Sequence, residues 1–407
     1  MSNSPSNLFR GTLVLVAALV LLALFSGCSE EPTESNAIVS PGALKNYIFR
    51  DTTVYADTDA SFRKYIPMDG AVNLLGQYNG YTALALIQFT PAYFPIRDTA
   101  VVYRAMLRLK TVSWFGDSAG TWSFNIYRVN RAWSPTTLTW DSVQLAGMYD
   151  QTVVRGTYMQ GAAPDSQWVS IQLDTSMVRQ WIASYTSTGD TKYGMILVPN
   201  AGSSTVRGVA QYSADTSLTP KLQIIAGNAA GTSLDTTDYT IAIDTFVGNV
   251  ALPADPSLLY VQSGVVYRSA LHFNLSFIPK ASLISKAELL LDENTAASRL
   301  NRFSGTLTVT AHLMSSATDS ASFDRFHFTT GGITSGTTFS IDARYLLQSW
   351  VKGPNYGVLL TATSLSDYLS SLDAESSSFD LYAFASHRAA NAAQRPRIHI
   401  IYALGNQ

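Results

Sequence analysis

One pattern is written twice in this chain. Residues 174–197 read DTSMVRQWIASYTSTGDTKYGMIL and residues 342–360 read DARYLLQSWVKGPNYGVLL. Met177, Val178, Trp181 and Ile182 fall at offsets that Leu346, Leu347, Trp350 and Val351 repeat, which sets one apolar side on a short helix in each copy. Asp174 and Asp342 stand just ahead of these helices, where a short carboxylate accepts hydrogen bonds from first-turn amides. Each helix then passes through polar residues into Tyr193-Gly194 or Tyr356-Gly357 and a buried strand. A chain that repeats helix, loop, Tyr-Gly and strand is constrained to a duplicated domain.

The order of events around this echo repeats as well. Ala85, Ile87 and Phe89 alternate as a core face, and Ser269, Leu271 and Phe273 stand in their places. Ala105, Leu107 and Leu109 alternate with Met106, Arg108 and Lys110 in a strand with one wet face, and Ala287, Leu289 and Leu291 match it. PKLQI at 220–224 matches PRIHI at 396–400. The pattern predicts a first domain over 42–227, a small polar linker over 228–237 and a second domain over 238–404. The 407 residues suit two domains of roughly 100–200 residues each. With 46% apolar and 14% charged residues, the expected fold class is all-β: two tandem antiparallel jelly-roll β-sandwich domains, each with one short helix.

The N-terminus predicts an address. Residues 12–25 form an apolar run behind Arg10, too short for a comfortable membrane span, and Ser26-Gly27-Cys28 follows. This layout resembles a bacterial lipoprotein signal, which implies a signal peptide over 1–27 and lipidation of Cys28. Ser29, in place of Asp, implies the outer membrane. Residues 28–41 are acidic and proline-punctuated, a tether that cannot order itself. Cys28 is the single cysteine, so no internal disulfide is available. The formal charge of −2 gives no bulk attraction for nucleic acid.

The sequence of Ile87-Gln88-Phe89, Arg104 to Leu109, Tyr127-Arg128-Val129 with Trp133, the Trp140-Asp141 stretch, Asp174 with Trp181, Tyr193-Gly194 and Pro220 resembles the DNRLRE-type secreted domain, a group overlapping carbohydrate-binding module family 96. The second copy keeps Trp350, Tyr356-Gly357 and Pro396 but has Phe323 and Phe326 where the first has Trp133 and Trp140. The resemblance implies a secreted or surface jelly-roll module, in some members a binder of uronic-acid polysaccharides.

Polysaccharide binding needs aromatic planes flanked by polar or charged groups. Trp114 and Phe115, beside Gly116-Asp117, read equally as a contact surface at a loop tip or as a loop anchor. Trp122, Trp133, Trp140 and Trp181 read as packing. Arg108, Lys110 and Arg128 on outward strand positions, with Arg63 and Lys64 in a long loop, are the candidate cations; solvated surface charge accounts for them too. Asp57 and Asp59, with Asp51, are the nearest thing to a structural calcium site, although they lack a dense acidic loop and the solvated-loop reading is preferred. No other cofactor is expected. The five histidines fit no metal spacing, and neither a nucleophile elbow nor a phosphate loop is present. The expected function is therefore a non-catalytic envelope lipoprotein binding polysaccharide. The alternatives are a structural or adhesive surface protein docking other envelope proteins, and, third, a polysaccharide lyase or hydrolase.

Overall fold

The computed structural model describes residues 47–65, 67–68, 72–89, 99–161, 166–186, 193–212, 217–251, 255–262, 266–300, 307–316, 323–364 and 380–405. Cys28 and the expected signal and tether lie outside them. The chain divides into two compact units. Residues 51–402 form one, and the described terminal residues 47–50 and 403–405 belong to the other.

In chain order the first elements are β1 (Tyr47–Tyr55), β2 (Thr58–Arg63), β3 (Val72–Tyr78), β4 (Tyr81–Phe89), β5 (Val101–Gly116) and β6 (Trp122–Arg128). Helix α1 (Trp140–Gln144), β7 (Gly156–Gln160), β8 (Trp168–Gln172), helix α2 (Thr175–Thr186), β9 (Met195–Pro199), β10 (Thr205–Ala210), β11 (Lys221–Gly227) and β12 (Leu234–Val250) follow. The second half holds β13 (Leu258–Gln262), β14 (Tyr267–His272), β15 (Leu283–Asp292), β16 (Leu307–Met314), β17 (Phe323–Ser335), β18 (Thr338–Asp342), helix α3 (Arg344–Lys352), β19 (Val358–Ser364), β20 (Leu381–Ala385) and β21 (Arg397–Gly405). The chain is all-β in class, and its strands fall into two antiparallel sheets: one follows β12-β11-β5-β10-β3-β4-β9-β6-β7, the other β1-β21-β15-β18-β17-β16-β19-β14-β13-β20.

The repeated helix buries the side that its spacing predicts. Met177, Val178, Trp181 and Ile182 are buried on α2, and Leu346, Leu347, Trp350 and Val351 on α3. Asp174 accepts from the Ser176 amide at 2.8 Å and Asp342 from the Arg344 amide at 3.0 Å, so each carboxylate satisfies an amide at the helix start. The recurring Tyr-Gly pairs also have one cause. Gly194 and Gly357 take φ of 79° and 94°, and a Cβ there would lie 2.1 Å from the Ile87 carbonyl oxygen and 2.4 Å from that of Leu271, the equivalent strand residue. The first lobe carries a helix that the one-per-copy expectation omits: α1, five residues long, opened by a Thr139–Ser142 capping box.

The domain boundaries need correcting. Residues 228–233 are not a linker but a hairpin loop, in which Asn228 Oδ1 accepts from the Thr232 amide at 3.0 Å and Gly231 takes a φ of 67°. Beyond it β12 pairs with β11 from Leu234 to Thr240, then with β4 from Ile241 to Val250. Tyr239 and Ile241 enter the inner core of the first lobe. Phe246, Val247 and Val250 are buried against the outer face of the same lobe. Each such apolar side chain contributes about 1.5–3 kcal/mol on burial, which fixes the strand where it lies. Small polar residues look alike in a linker and in a turn; the alternation after them decides between the two.

The opposite correction applies to residues 51–63, expected to open the first domain. β2 pairs with β14, Thr58 opposite His272 and Arg63 opposite Tyr267, and the Ala56 amide donates to the Pro396 carbonyl oxygen at 2.8 Å. β1 and β2 thus serve the second lobe as β12 serves the first. Each copy is completed by the strand that opens the other.

β4 is buried on both faces. Ala85, Ile87 and Phe89 face the inner core, while Leu84 and Leu86 are covered by Val129, Leu138, Val143 and Met148 with Trp133 and Trp140 packed alongside. Asp244, half-buried on β12, accepts from Asn73 Nδ2 at 2.5 Å and from the Tyr212 amide at 3.2 Å. Burial pushes its pKa up to about 6 despite those two hydrogen bonds. Among the described residues no helix is long and apolar enough to cross a membrane.

Candidate functional site

Strand alternation builds one charged face on the first lobe. On β5, Ala105, Leu107 and Leu109 are buried, so Arg104, Met106, Arg108 and Lys110 project to the other side. Neighbouring strands extend the surface. Lys221 on β11 and Ser170 on β8 stand opposite Arg108, Gln223 and Gln172 opposite Met106, and Trp168 opposite Lys110. Directly opposed side chains are about 4.5–5.5 Å apart at Cβ, so these residues form one continuous patch.

The indole of Trp168 organises the cations. The Arg108 guanidinium carbon lies 5.3 Å from its ring centroid and Lys110 Nζ 5.9 Å from it, within cation–π range. Lys110 also donates to the Ser166 carbonyl oxygen. On the outward positions of β5, β8, β11 and the paired part of β12, four cations (Arg104, Arg108, Lys110 and Lys221) face a single carboxylate. That carboxylate is Asp238, which accepts from Gln223 Nε2 at 3.0 Å. The face therefore carries an excess of positive charge on a partly exposed surface.

The equivalent face of the second lobe is neutralised from within. Asp292 occupies the place of Lys110 and meets Arg397, the counterpart of Lys221, at 2.6 Å. Lys286 meets Glu288 at 3.1 Å, and His399 lies 2.8 Å from Asp51 and 3.9 Å from Glu288. Among the described residues, the same scaffold thus carries cations without an ion pair in one copy and internal ion pairs in the other.

The remaining sequence candidates are scattered. Arg128 on β6 donates to Gln180 Oε1 at 2.6 Å and to Asn130 Oδ1 at 3.2 Å, away from the patch strands. Arg63 on β2 donates to Asn249 Oδ1 at 2.7 Å and covers the Tyr65 ring at 4.6 Å. The Lys64 amide donates to the Val266 carbonyl oxygen at 2.9 Å. Phe115 is corrected from contact surface to core: β5 runs on through Gly116 instead of turning at Trp114, and the Phe115 ring packs 5.0 Å from Tyr81. Trp114 is half-buried and lines a cavity. Trp133 and Trp140 pack as expected, with Trp133 Nε1 donating to the Tyr193 carbonyl oxygen at 2.8 Å.

The three aspartates of the expected calcium cluster are separately engaged. Asp51 meets His399 at 2.8 Å, Asp57 meets His272 at 2.7 Å and Asp59 meets His387 at 2.6 Å. Among the described residues no group of three or more His, Cys, Asp or Glu side chains could hold a metal ion. Asp59 lies in strand β2 rather than in a loop, opposite Leu271 of β14.

Trp168 is the residue that sequence reasoning passed over. The signal was present: in Trp168-Val169-Ser170-Ile171-Gln172, Val169 and Ile171 are buried, so Trp168 belongs to the wet face. Cations and an indole on one partly exposed sheet face can hold an anion or a sugar ring.

A comparison with protein-family models finds no match, and a search of curated proteins finds no relative.

Proposed function

We propose that the chain is a non-catalytic, lipid-anchored cell-envelope protein whose first lobe binds an acidic polysaccharide, with uronic-acid polymers as the class. The observation that carries this reading is the contrast between the two copies. Equivalent strands bear four cations, against one carboxylate, around a half-buried indole in the first lobe, and mutually paired charges in the second. Cationic and partly exposed, the first face suits an extended polyanion lying across β8, β5 and β11, with carboxylates on the guanidinium and ammonium groups and a sugar face on Trp168. The likeness of the quoted residues to DNRLRE-type domains supports the same ligand class, and the Cys28 signal supports attachment to the outer membrane.

Affinity electrophoresis of residues 41–407 in gels containing alginate, pectin or a neutral glucan tests the proposal. Retardation by the acidic polymers is expected, falling with salt because exposed charges are screened within about 10 Å at 0.1 M. The paired change Arg108→Ala and Lys110→Ala should abolish most of it. Equal retardation by the neutral glucan, or none by any polymer from a folded protein, defeats the reading. In the second case, recovery of an envelope protein on the immobilised chain would favour a docking role instead.

A further inference from the structure

A separate cavity of about 410 Å³ opens where the two lobes meet, within the ~300–1,000 Å³ of cavities that hold small ligands. Tyr78, Asn79 and Trp114 line it from the first lobe, Ser298 and Arg299 from the second. Neither copy could form it alone.

Its walls are held in place. Tyr78 and Trp114 lie on strands that flank β10, and Asn79-Gly80 forms the tight turn between β3 and β4, with φ of 46° and 85°. Gly116, with φ of 91°, has no Cβ; one placed there would fall 2.4 Å from the Tyr78 ring, so that glycine is what lets the ring lie against the backbone. The ring also meets Phe115 edge-on at 6.1 Å. Across the cavity, Arg299 exchanges backbone hydrogen bonds with Leu381 at 2.8 and 2.9 Å, and its Nη1 donates to the Asn79 carbonyl oxygen at 2.8 Å. Its guanidinium carbon sits 5.6 Å from the Tyr81 ring centroid.

We infer that this junction is a second binding site, for a short segment of an acidic saccharide. Two aromatic side chains give apolar planes for a sugar's C–H face, Asn79 and Ser298 give hydroxyl partners, and Arg299 matches a carboxylate geometrically. The combination fits an acidic sugar better than a purely apolar ligand, for which the guanidinium would be desolvated without return. The site takes a segment of one or a few sugars, whereas the open face of β5 takes the length of a polymer. The inference does not depend on that face.

Titration of the full chain with alginate, pectin and cellulose oligosaccharides of roughly two to six residues, followed by calorimetry and by tryptophan fluorescence, tests it. An acidic oligosaccharide should bind, and Trp114→Ala and Arg299→Ala should each weaken it by about tenfold or more. Arg108→Ala should leave that affinity unchanged, while Arg299→Ala should leave retardation by the long polymer unchanged. Arg299→Lys, which keeps charge and fold, should recover only part of the binding. The inference is overturned if no oligosaccharide binds, if neutral oligosaccharides bind as well, or if binding is indifferent to Arg299→Ala. It is equally overturned if only Arg108→Ala weakens binding, since the oligosaccharide then sits on the open face.

Discussion

His387 Nδ1 lies 2.6 Å from Asp59 Oδ1, although 328 positions separate the two residues along the chain. The His387 amide donates to the other oxygen of the same carboxylate. Asp51 and Asp57 hydrogen-bond to the imidazoles of His399 and His272, so every acidic residue between Tyr47 and Arg63 is matched by a histidine of the second lobe. These contacts mark where the opening strand of the chain is fastened.

The fastenings should differ in strength with their exposure. The Asp59 side chain is 4% exposed and that of Asp51 67%. Asp59→Ala should cost about 1–3 kcal/mol, because it strands the half-buried His387 amide donor. Asp51→Ala should stay within about 0.5 kcal/mol, as exposed pairs do. Urea unfolding of the two variants checks the order; equal losses would contradict it.

Fragments should expose the exchange directly. Residues 64–251 retain β3 to β12 and should fold alone, with cooperative thermal unfolding. Residues 252–405 lack β1 and β2 and should bind hydrophobic dye until a peptide of residues 47–63 is added. Circular dichroism and dye fluorescence with and without the peptide provide the measurement.

Asp244 sets a pH dependence. Its folded pKa of about 6 lies above the ordinary carboxylate value of 3.8, so the folded state binds the extra proton between those values. Stability from this group is therefore complete below about pH 4 and is lost as pH rises to about 6. Asp244→Asn should remove that slope and stabilise the protein above pH 6 by about 1–3 kcal/mol, the upper figure reduced by whatever water reaches the carboxylate. Chemical denaturation at pH 4.5 and 7 decides it.

Gly194→Ala and Gly357→Ala should each cost more than about 2 kcal/mol, since the added Cβ meets a strand carbonyl oxygen at a backbone conformation that alanine avoids. Calorimetry should show each substitution lowering the transition of its own lobe first.

Much of the architecture was legible because it rests on periodicity. The apolar side of α2 and α3, the inward set on β5 and the packing of Trp181 and Trp350 all follow from spacing alone. The exchange of opening strands was not, because pairing between residues such as Thr58 and His272 leaves no mark in local sequence. For the candidate site, Arg108 and Lys110 could be read from alternation, whereas their shared indole at Trp168 required the register of β5 against β8. Phe115 misled for a plain reason: Gly116-Asp117 resembles a turn, yet the strand ends only after the ring has entered the core.

The reciprocal strand exchange also imposes a schedule on synthesis. Asp51 is made 348 positions before His399, its partner, so the opening strand leaves the ribosome roughly 20–70 s early at about 5–20 residues per second. Throughout that interval it has no sheet to join, while the first lobe can close as soon as β12 emerges. The N-terminal strand must stay unpaired until the last residues arrive, and any helper that acts on this protein during synthesis has that one segment to guard.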